Sequence, residues 1–270
     1  MTKIIKKTLL CSPDYFQIRY QINPWMRLGS VNQIKAKEQW LNLVNLFRSL
    51  GVKAETVKPQ PDLPDMVFSA DQALIKGKKA VLANFRFQER RGEKKIYRQW
   101  FNNNGFKTFS LPSCLYFEGG DAFDLGRKIL LGYGFRTSFQ TANLISNLLA
   151  TPVIPLKLTN SYFYHLDTCL FPISRKTAFY YPPAFDKDSK IKLANLFANF
   201  IPLPRKEAFS LAANSLITDH QAIIPQESPF LAQKLKQLGY QVYQTDISQF
   251  LRAGGGIHCL TITTKTKIIN

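Results

Sequence analysis

Apolar residues recur at helical spacing in five stretches: VNQIKAKEQWLNLVNLFRSLG (31–51), EKKIYRQWFNNNG (93–105), FQTANLISNLLAT (139–151), DSKIKLANLFANF (188–200) and SPFLAQKLKQLG (228–239). Each is followed closely by a short extended run: VKAETVKP, FKTFSLP, PVIPLKL, IPLP and YQVYQTDI. Gly51, Gly105 and Gly239 stand where a helix C-terminus favours a left-handed residue, whereas the third stretch stops at ATP and the fourth at ANF. Paired strand candidates lie between the helices: MVFSADQALI with KAVLANF, YFEGGDAFDLG with KILLGYG, and SLITDHQAII. The opening MTKIIKKTLLCS predicts a first strand. Five units of strands plus helix predict one closed pseudo-symmetric α/β domain over residues 1–270, strands central and helices outside. An ordinary open α/β sheet would show the same alternation. The proline-rich KPQPDLPD (58–65) is long enough for a loop and too short for a domain boundary.

A chain of 270 residues that is 45% hydrophobic and 13% aromatic can bury a sizeable core. Its longest apolar stretches, such as SYFYHLDTCLFPI, are interrupted by polar residues and fall short of the roughly 20 apolar residues a membrane helix needs. The apolar part of the N-terminus, Thr8 to Cys11, is too short for a secretory signal. Cys11, Cys114, Cys169 and Cys259 form neither a CxxC pair nor a zinc spacing, so free thiols and a cytoplasmic location are expected. Each cysteine could equally be a small buried hydrophobe. The net charge of +18 invites a nucleic-acid reading, but the basic residues are scattered in pairs such as Lys78-Lys79 and Arg90-Arg91. With no basic helix, finger or RRM signature, nucleic acid is disfavoured as a partner. A homo-oligomer is left open.

In RAGGGIHCLTI (252–262), three glycines precede Cys259, which lets bare backbone approach a ligand or take positive φ. A nucleophilic thiol would use that freedom, and a basic neighbour would favour its thiolate; a buried thiol beside a glycine turn is the plain alternative. Of the three histidines, His220 sits in a turn-like TDHQA, and His258 would face away from Cys259 on a continuous strand. His165 lies two residues from Asp167 in YFYHLDTCLF, which places a proton carrier and a carboxylate on one strand face. Glu118, Asp65 and Asp71 also sit in apolar runs. Buried carboxylates need a cation, supplied either by the protein's own arginines or by a ligand bearing a planar, multidentate guanidinium.

Taken in order, PDMVFSAD, FEGGDAF, YHLDTCLF and AGGGIHC resemble the guanidino-group modifying superfamily: arginine deiminases, dimethylarginine dimethylaminohydrolases, arginine dihydrolases and amidinotransferases. The opening CSPDYFQIRYQINPWM is similar to the hydrolase branch, so the resemblance spans nearly the whole chain. It implies a five-bladed α/β propeller (pentein) of pseudo-fivefold ββαβ modules around a central active site. It further implies Cys259 as nucleophile, His165 as general acid and base, and Glu118 as the carboxylate beside them. Asp71 and Asp167 match guanidinium-holding carboxylates, and Asp65, Arg90 and Arg136 match contacts to the amino-acid end of a small guanidino substrate. The implied chemistry passes through a covalent amidino-thioether and needs no metal or organic cofactor.

Dimethylarginine hydrolases often carry HLK where this chain has HLD, and some arginine dihydrolases carry Asn where Asp71 stands. The first departure weighs against a methylated arginine and Asp71 favours a single hydrolytic step, so hydrolysis of arginine or an N-substituted arginine to citrulline plus ammonia or an alkylamine ranks first. An ornithine-forming dihydrolase ranks second and an amidinotransferase third. A catalytically silent scaffold of the same fold, or a basic nucleic-acid-binding protein, are the readings of another class.

Overall fold

In the computed structural model, which describes residues 2–269, the first strand β1 (Thr2–Cys11) is the middle of a three-stranded sheet. Met1 and Asn270, included in the expected domain, lie outside the described residues. Helix α1 (Gln33–Ser49) crosses over to β2 (Lys53–Val57), parallel to β1, as parallel neighbours require. The next three units repeat the plan. They are β3 (Ala73–Lys76), β4 (Lys79–Leu82), α2 (Glu93–Asn103) and β5 (Lys107–Phe109); then β6 (Ala122–Asp124), β7 (Ile129–Tyr133), α3 (Thr141–Leu149) and β8 (Val153–Lys157); then β9 (Leu170–Pro172), β10 (Thr177–Tyr180), α4 (Lys187–Leu196) and β11 (Asn199–Pro202). After a short α5 (Arg205–Ala208), β12 (Leu216–Thr218), β13 (Gln221–Pro225), α6 (Pro229–Gln237) and β14 (Gln241–Thr245) make the fifth; α7 (Ser248–Leu251) leads to β15 (Ile262–Ile269).

In each sheet the middle strand is antiparallel to the strand before it and parallel to the strand after the helix. β15 supplies the missing antiparallel strand of the first sheet, pairing Thr8 with Thr263, so the end of the chain closes the ring at its beginning. The architecture is therefore a five-bladed α/β propeller of ββαβ modules. No helix among the described residues is long and apolar enough to cross a membrane.

The helical stripes face inward as their spacing predicts. α1 buries Ala36, Trp40, Leu43, Val44 and Phe47 on one face. Asn32 caps its start, accepting from the Lys35 N–H at 3.0 Å. Gly51, Gly105 and Gly239 all have positive φ, and Ala150 takes the left-handed conformation at the end of α3. The fourth helix is shorter than the 188–200 stretch suggests: Phe197 is already extended, because Asn199 onward pairs with β10.

A second difference matters more for function. The acid-bearing segments expected as strands are single 3-10 turns: Pro64–Val67, Ser69–Gln72, Gly119–Asp121 and Leu166–Thr168. In such a turn every residue is tightly confined, so apolar and acidic side chains alternate without strand geometry. Each turn leads into the innermost strand of its blade. The same is true of Asn214 ahead of β12 and Cys259 ahead of β15.

Candidate active site

The five blades deliver equivalent positions to one place. Asp71 stands two residues before β3, Glu118 four before β6, His165 and Asp167 five and three before β9, Asn214 two before β12, and Cys259 three before β15. All six are buried, with His165, Glu118 and Asp167 at 0% exposure and Cys259 at 2%.

Cys259 lies in a turn, since β15 begins only at Ile262. Its N–H donates to Asn214 Oδ1 at 2.9 Å, and its carbonyl accepts from the Ala70 N–H at 3.0 Å. Because Oδ1 is taken by that N–H, Asn214 must turn Nδ2 to the sulfur, 3.0 Å away. The sulfur is also 3.4 Å from Asp167 Oδ2. A Cβ on Gly255 would fall 2.2 Å from the Phe68 ring, so the glycine lets that ring lie directly on the backbone leading to the thiol. The Tyr164 hydroxyl donates to the Gly254 carbonyl at 2.9 Å and so joins the cysteine segment to the histidine segment.

His165 Nε2 is 2.9 Å from Glu118 Oε2, and its Nδ1 is 3.3 Å from Asp71 Oδ1 without an aligned hydrogen bond between them. Gly120 permits this crowding: a Cβ there would lie 2.6 Å from Asp71 Oδ1 and 2.8 Å from His165 Nδ1. Glu118 Oε2 also accepts from Arg136 Nη1 at 3.0 Å. Arg136 stacks between the Phe87 and Tyr164 rings and donates to the Ile22 carbonyl. Arg90 donates to Asp71 Oδ2 at 2.6 Å and to both oxygens of Glu93 at 2.9 Å. Asp65 accepts from the Tyr20 hydroxyl at 3.0 Å, and its carbonyl from Arg90. Both arginines thus bond to acids within the protein.

Burial alone would lower His165, but Asp71, the hydrogen bond to Glu118 and the charge of Asp121 outweigh it and raise it to about 9. Burial would raise Glu118, but Arg136 and then His165 bring it down to about 2. The two values describe one arrangement, an imidazolium against a carboxylate. Burial, followed by the charges of Asp167 and Asp71, pushes the Cys259 thiol well above the ordinary range. Burial also raises Asp65, and brings Asp121 up to about 7.

Five carboxylate oxygens in these segments are buried without a hydrogen-bond partner: Asp65 Oδ1, Asp71 Oδ1, Glu118 Oε1, Asp121 Oδ2 and Asp167 Oδ1. Asp71 and Glu118 touch His165, and Asp167 touches Cys259. Orphaned buried acceptors are costly unless a donor arrives. Asp71, Glu118 and His165 bring ligand atoms within 4.8 Å of one another, but a protonated imidazole and two arginine-paired carboxylates make a poor metal donor set. The arrangement suits an organic cation with several N–H donors.

The segment 12–32 covers this place. Tyr20 reaches Asp65, Ile22 accepts from Arg136, Asn23 Nδ2 donates to the Ala253 carbonyl at 3.0 Å, and Trp25 Nε1 donates to the Tyr162 carbonyl at 2.7 Å. A cavity of about 680 Å³ opens on the other mouth of the propeller axis; none of the six buried residues lines it, but His258 does.

Three residues beside the site were not assigned from sequence. Asn214 lies in LAANSLITD with no motif around it; its signal is its place ahead of β12, matching Asp71 ahead of β3. Asp121 accepts the Leu166 N–H at 3.1 Å and so fixes the turn carrying His165. His258, expected to face away, instead places Nδ1 2.8 Å from Asp167 Oδ2, because residues 257–260 form a turn rather than a strand. The same reason corrects the expected strand face shared by His165 and Asp167: they flank a 3-10 turn, one facing Glu118 and Asp71, the other facing Cys259.

Residues 13–265 match the family described as N,N dimethylarginine dimethylhydrolase, eukaryotic. Over 97% of its length the chain is 38% identical to the bifunctional arginine dihydrolase/ornithine cyclodeaminase ArgZ of Synechocystis sp., of which it spans only 38%. It is 33% identical to the N(G),N(G)-dimethylarginine dimethylaminohydrolase of Mycobacterium tuberculosis, covering 95% of this chain and 85% of that one. The crystal structure of the N-terminal domain of ArgZ, in an asparagine-to-serine variant covalently bound to a reaction intermediate, superposes with a TM-score of 0.93. It shares 38% identity, with coverage of 96% and 97%.

Proposed function

This chain belongs to the N,N-dimethylarginine dimethylhydrolase family, hydrolases acting on amidine C–N bonds, and from that premise we propose that it hydrolyses the guanidinium of arginine or an N-substituted arginine through a covalent intermediate on Cys259. The observation that carries this reading is the set of unpartnered buried oxygens on Asp71, Glu118 and Asp167, flanking a thiol and an imidazolium. A guanidinium has five N–H donors in one plane, enough to satisfy all three.

Substrate binding would itself prepare the nucleophile. Asp71 and Asp167 raise the thiol while their charge is uncompensated; a cation between them cancels that effect and favours the thiolate. Sγ then attacks the central guanidinium carbon, and His165 passes a proton to the departing nitrogen, so that ammonia or an alkylamine leaves as the C–N bond breaks. The neutral His165 next takes a proton from water, whose oxygen attacks the amidino-thioether carbon. The C–S bond breaks as the hydroxyl proton of the tetrahedral adduct passes to the sulfur, releasing citrulline and restoring the Cys259 thiol. Arg90 and Arg136 act as buried counter-ions that orient Asp71 and Glu118, and Asp65 lies beside them.

Every N-methyl group removes one N–H and would leave a buried acceptor unpaired, so the acids favour unsubstituted arginine. The 38% identity to an arginine dihydrolase supports a second reading, in which citrulline is hydrolysed again to ornithine. Asp71 speaks against it: a carboxylate cannot donate to the ureido oxygen of citrulline, whereas an Asn amide can. The four unpaired thiols suit a reducing compartment, and we place the reaction in the cytosol. Citrulline, ornithine and ammonia released from arginine, its N-methylated forms and agmatine test the proposal, with Cys259→Ser as control. Turnover of arginine to citrulline with one ammonia, lost in the variant, is expected; turnover that survives Cys259→Ser overturns the covalent reading.

A further inference from the structure

The reaction proposed above leaves one proton without a destination. His165 enters it already protonated, so it cannot also receive the proton Cys259 must lose. Among the described residues, three polar groups contact the sulfur: Asn214 Nδ2 and the Gly256 backbone, which donate, and Asp167 Oδ2, which can accept. That same Asp167 oxygen is 2.8 Å from His258 Nδ1. The His258 side chain is 21% exposed and stands in the wall of the 680 Å³ cavity at the far mouth of the propeller. The substrate side is closed by residues 12–32.

We propose that Asp167 and His258 form the exit route for the thiol proton, leading from the sealed substrate side to solvent in the cavity on the opposite face. This rests on the hydrolase reading and extends it. The step balances with His258 in the tautomer that carries its proton on Nε2. The Sγ–H bond breaks as Asp167 Oδ2–H forms, and sulfur keeps the electron pair. Oδ2–H then breaks as His258 Nδ1–H forms, and the Nε2 proton passes to water in the cavity. Asp167 is left as a carboxylate whose free Oδ1 accepts a guanidinium N–H.

His258 stands among aromatic and charged groups of that wall. Its ring packs 5.3 Å from the Phe123 ring. Charged groups in the same wall are Lys7 from β1, Lys78 from the β3–β4 turn, Asp124 from β6 and Arg175 from the β9–β10 turn. The β12–β13 turn adds Asp219 and His220, and β15 adds Lys265. Lys7 pairs with Glu55 and Asp124 with Lys76. Cationic groups outnumber acids in this wall. His258 acts through Asp167 and does not touch the reacting carbon, so it is a positioning and relay residue.

The test reads the thiol directly, by the rate at which 2-chloroacetamidine, an alkylating agent with a planar amidinium, modifies Cys259 at pH 7. His258→Asn keeps a donor near the Nδ1 position but cannot carry a proton through. It should melt like the parent and react about a hundredfold more slowly. His258→Ala should be equally slow and should recover when imidazole, small enough for the cavity, is added, more so as the buffer pH rises through imidazole's own pKa. A His258→Asn protein that reacts at the parent rate overturns the relay. So does a slow, destabilised His258→Ala protein that imidazole does not rescue, since that is a packing role. If arginine is not turned over but His258→Asn still slows alkylation, the relay stands and the substrate reading falls.

Discussion

Replacing Asn214 separates two of the three bonds its amide makes, the third being from Nδ2 to the Asp167 carbonyl at 3.1 Å. Nδ2 donates to the sulfur at 3.0 Å, and Oδ1 holds the Cys259 N–H at 2.9 Å. A hydrogen bond to a charged group is worth about 1.5–3 kcal/mol, which at about 1.4 kcal/mol per pKa unit raises the thiol by about one to two units when lost. Asn214→Ala loses both contacts. Asn214→Asp is isosteric and keeps the oxygen for the backbone N–H, but it replaces the donor with a third carboxylate against a sulfur that already faces Asp167 and Asp71. The pH dependence of Cys259 alkylation, followed by intact mass with saturating guanidinium ion present, should therefore move upward in the order parent, Ala variant, Asp variant. At fixed pH the Ala variant should react about ten to a hundred times more slowly. If Asn214 only clamps the backbone, the Asp variant would match the parent and the Ala variant alone would be slow. That ordering refutes the thiolate-stabilising role.

Glu118→Gln removes one cause of the raised His165, which is held at about 9, so the alkaline limb of arginine turnover should shift to lower pH; an unmoved limb would mean another group controls it. Because His165 is raised from 6.5 to about 9, its contribution to stability is complete below the lower value and lost as pH climbs through the higher. Unfolding free energy from denaturant titration should therefore fall between pH 6.5 and 9.5, by an amount on the order of 3 kcal/mol that His165→Gln removes; parallel curves for the two proteins would contradict this. Asp71→Asn should slow the first hydrolysis and raise the ratio of ornithine to citrulline, read by amino-acid analysis, and an unchanged ratio would exclude Asp71 as the stop after one step. Gly255→Ala drives a Cβ into the Phe68 ring and should cost about 1–3 kcal/mol of stability by denaturant titration together with most of the activity.

The parts of this protein legible in the sequence are those fixed by local periodicity. The apolar stripes of α1 to α4 and α6, with glycines at 51, 105 and 239, declare five helices and hence five blades. Less legible is what depends on ring closure. β15 reads as a strand but its partner, β1, is 254 residues away at Thr8–Ile262. Asp71, Glu118, His165 and Asp167 sit in apolar runs that look like strands, because a buried 3-10 turn and a buried strand share the same composition. Treating residues 257–260 as strand reverses His258, since one residue of strand flips a side chain. Asn214 has no motif and is visible only once β12 is aligned with the other innermost strands. The resemblance matches Arg90 and Arg136 to the amino-acid end of a substrate, whereas their pairing with Glu93 and Glu118 depends on contacts that only the folded chain brings together.

The central claim is that Cys259 carries the amidino group during turnover. Acid-quenching the protein within milliseconds of mixing with arginine, then measuring intact mass and mapping peptides, tests it most directly. The account predicts a transient adduct on the peptide containing Cys259 with the mass of arginine less ammonia, absent from Cys259→Ser. Turnover at full rate with that peptide unmodified at every quench time would contradict it.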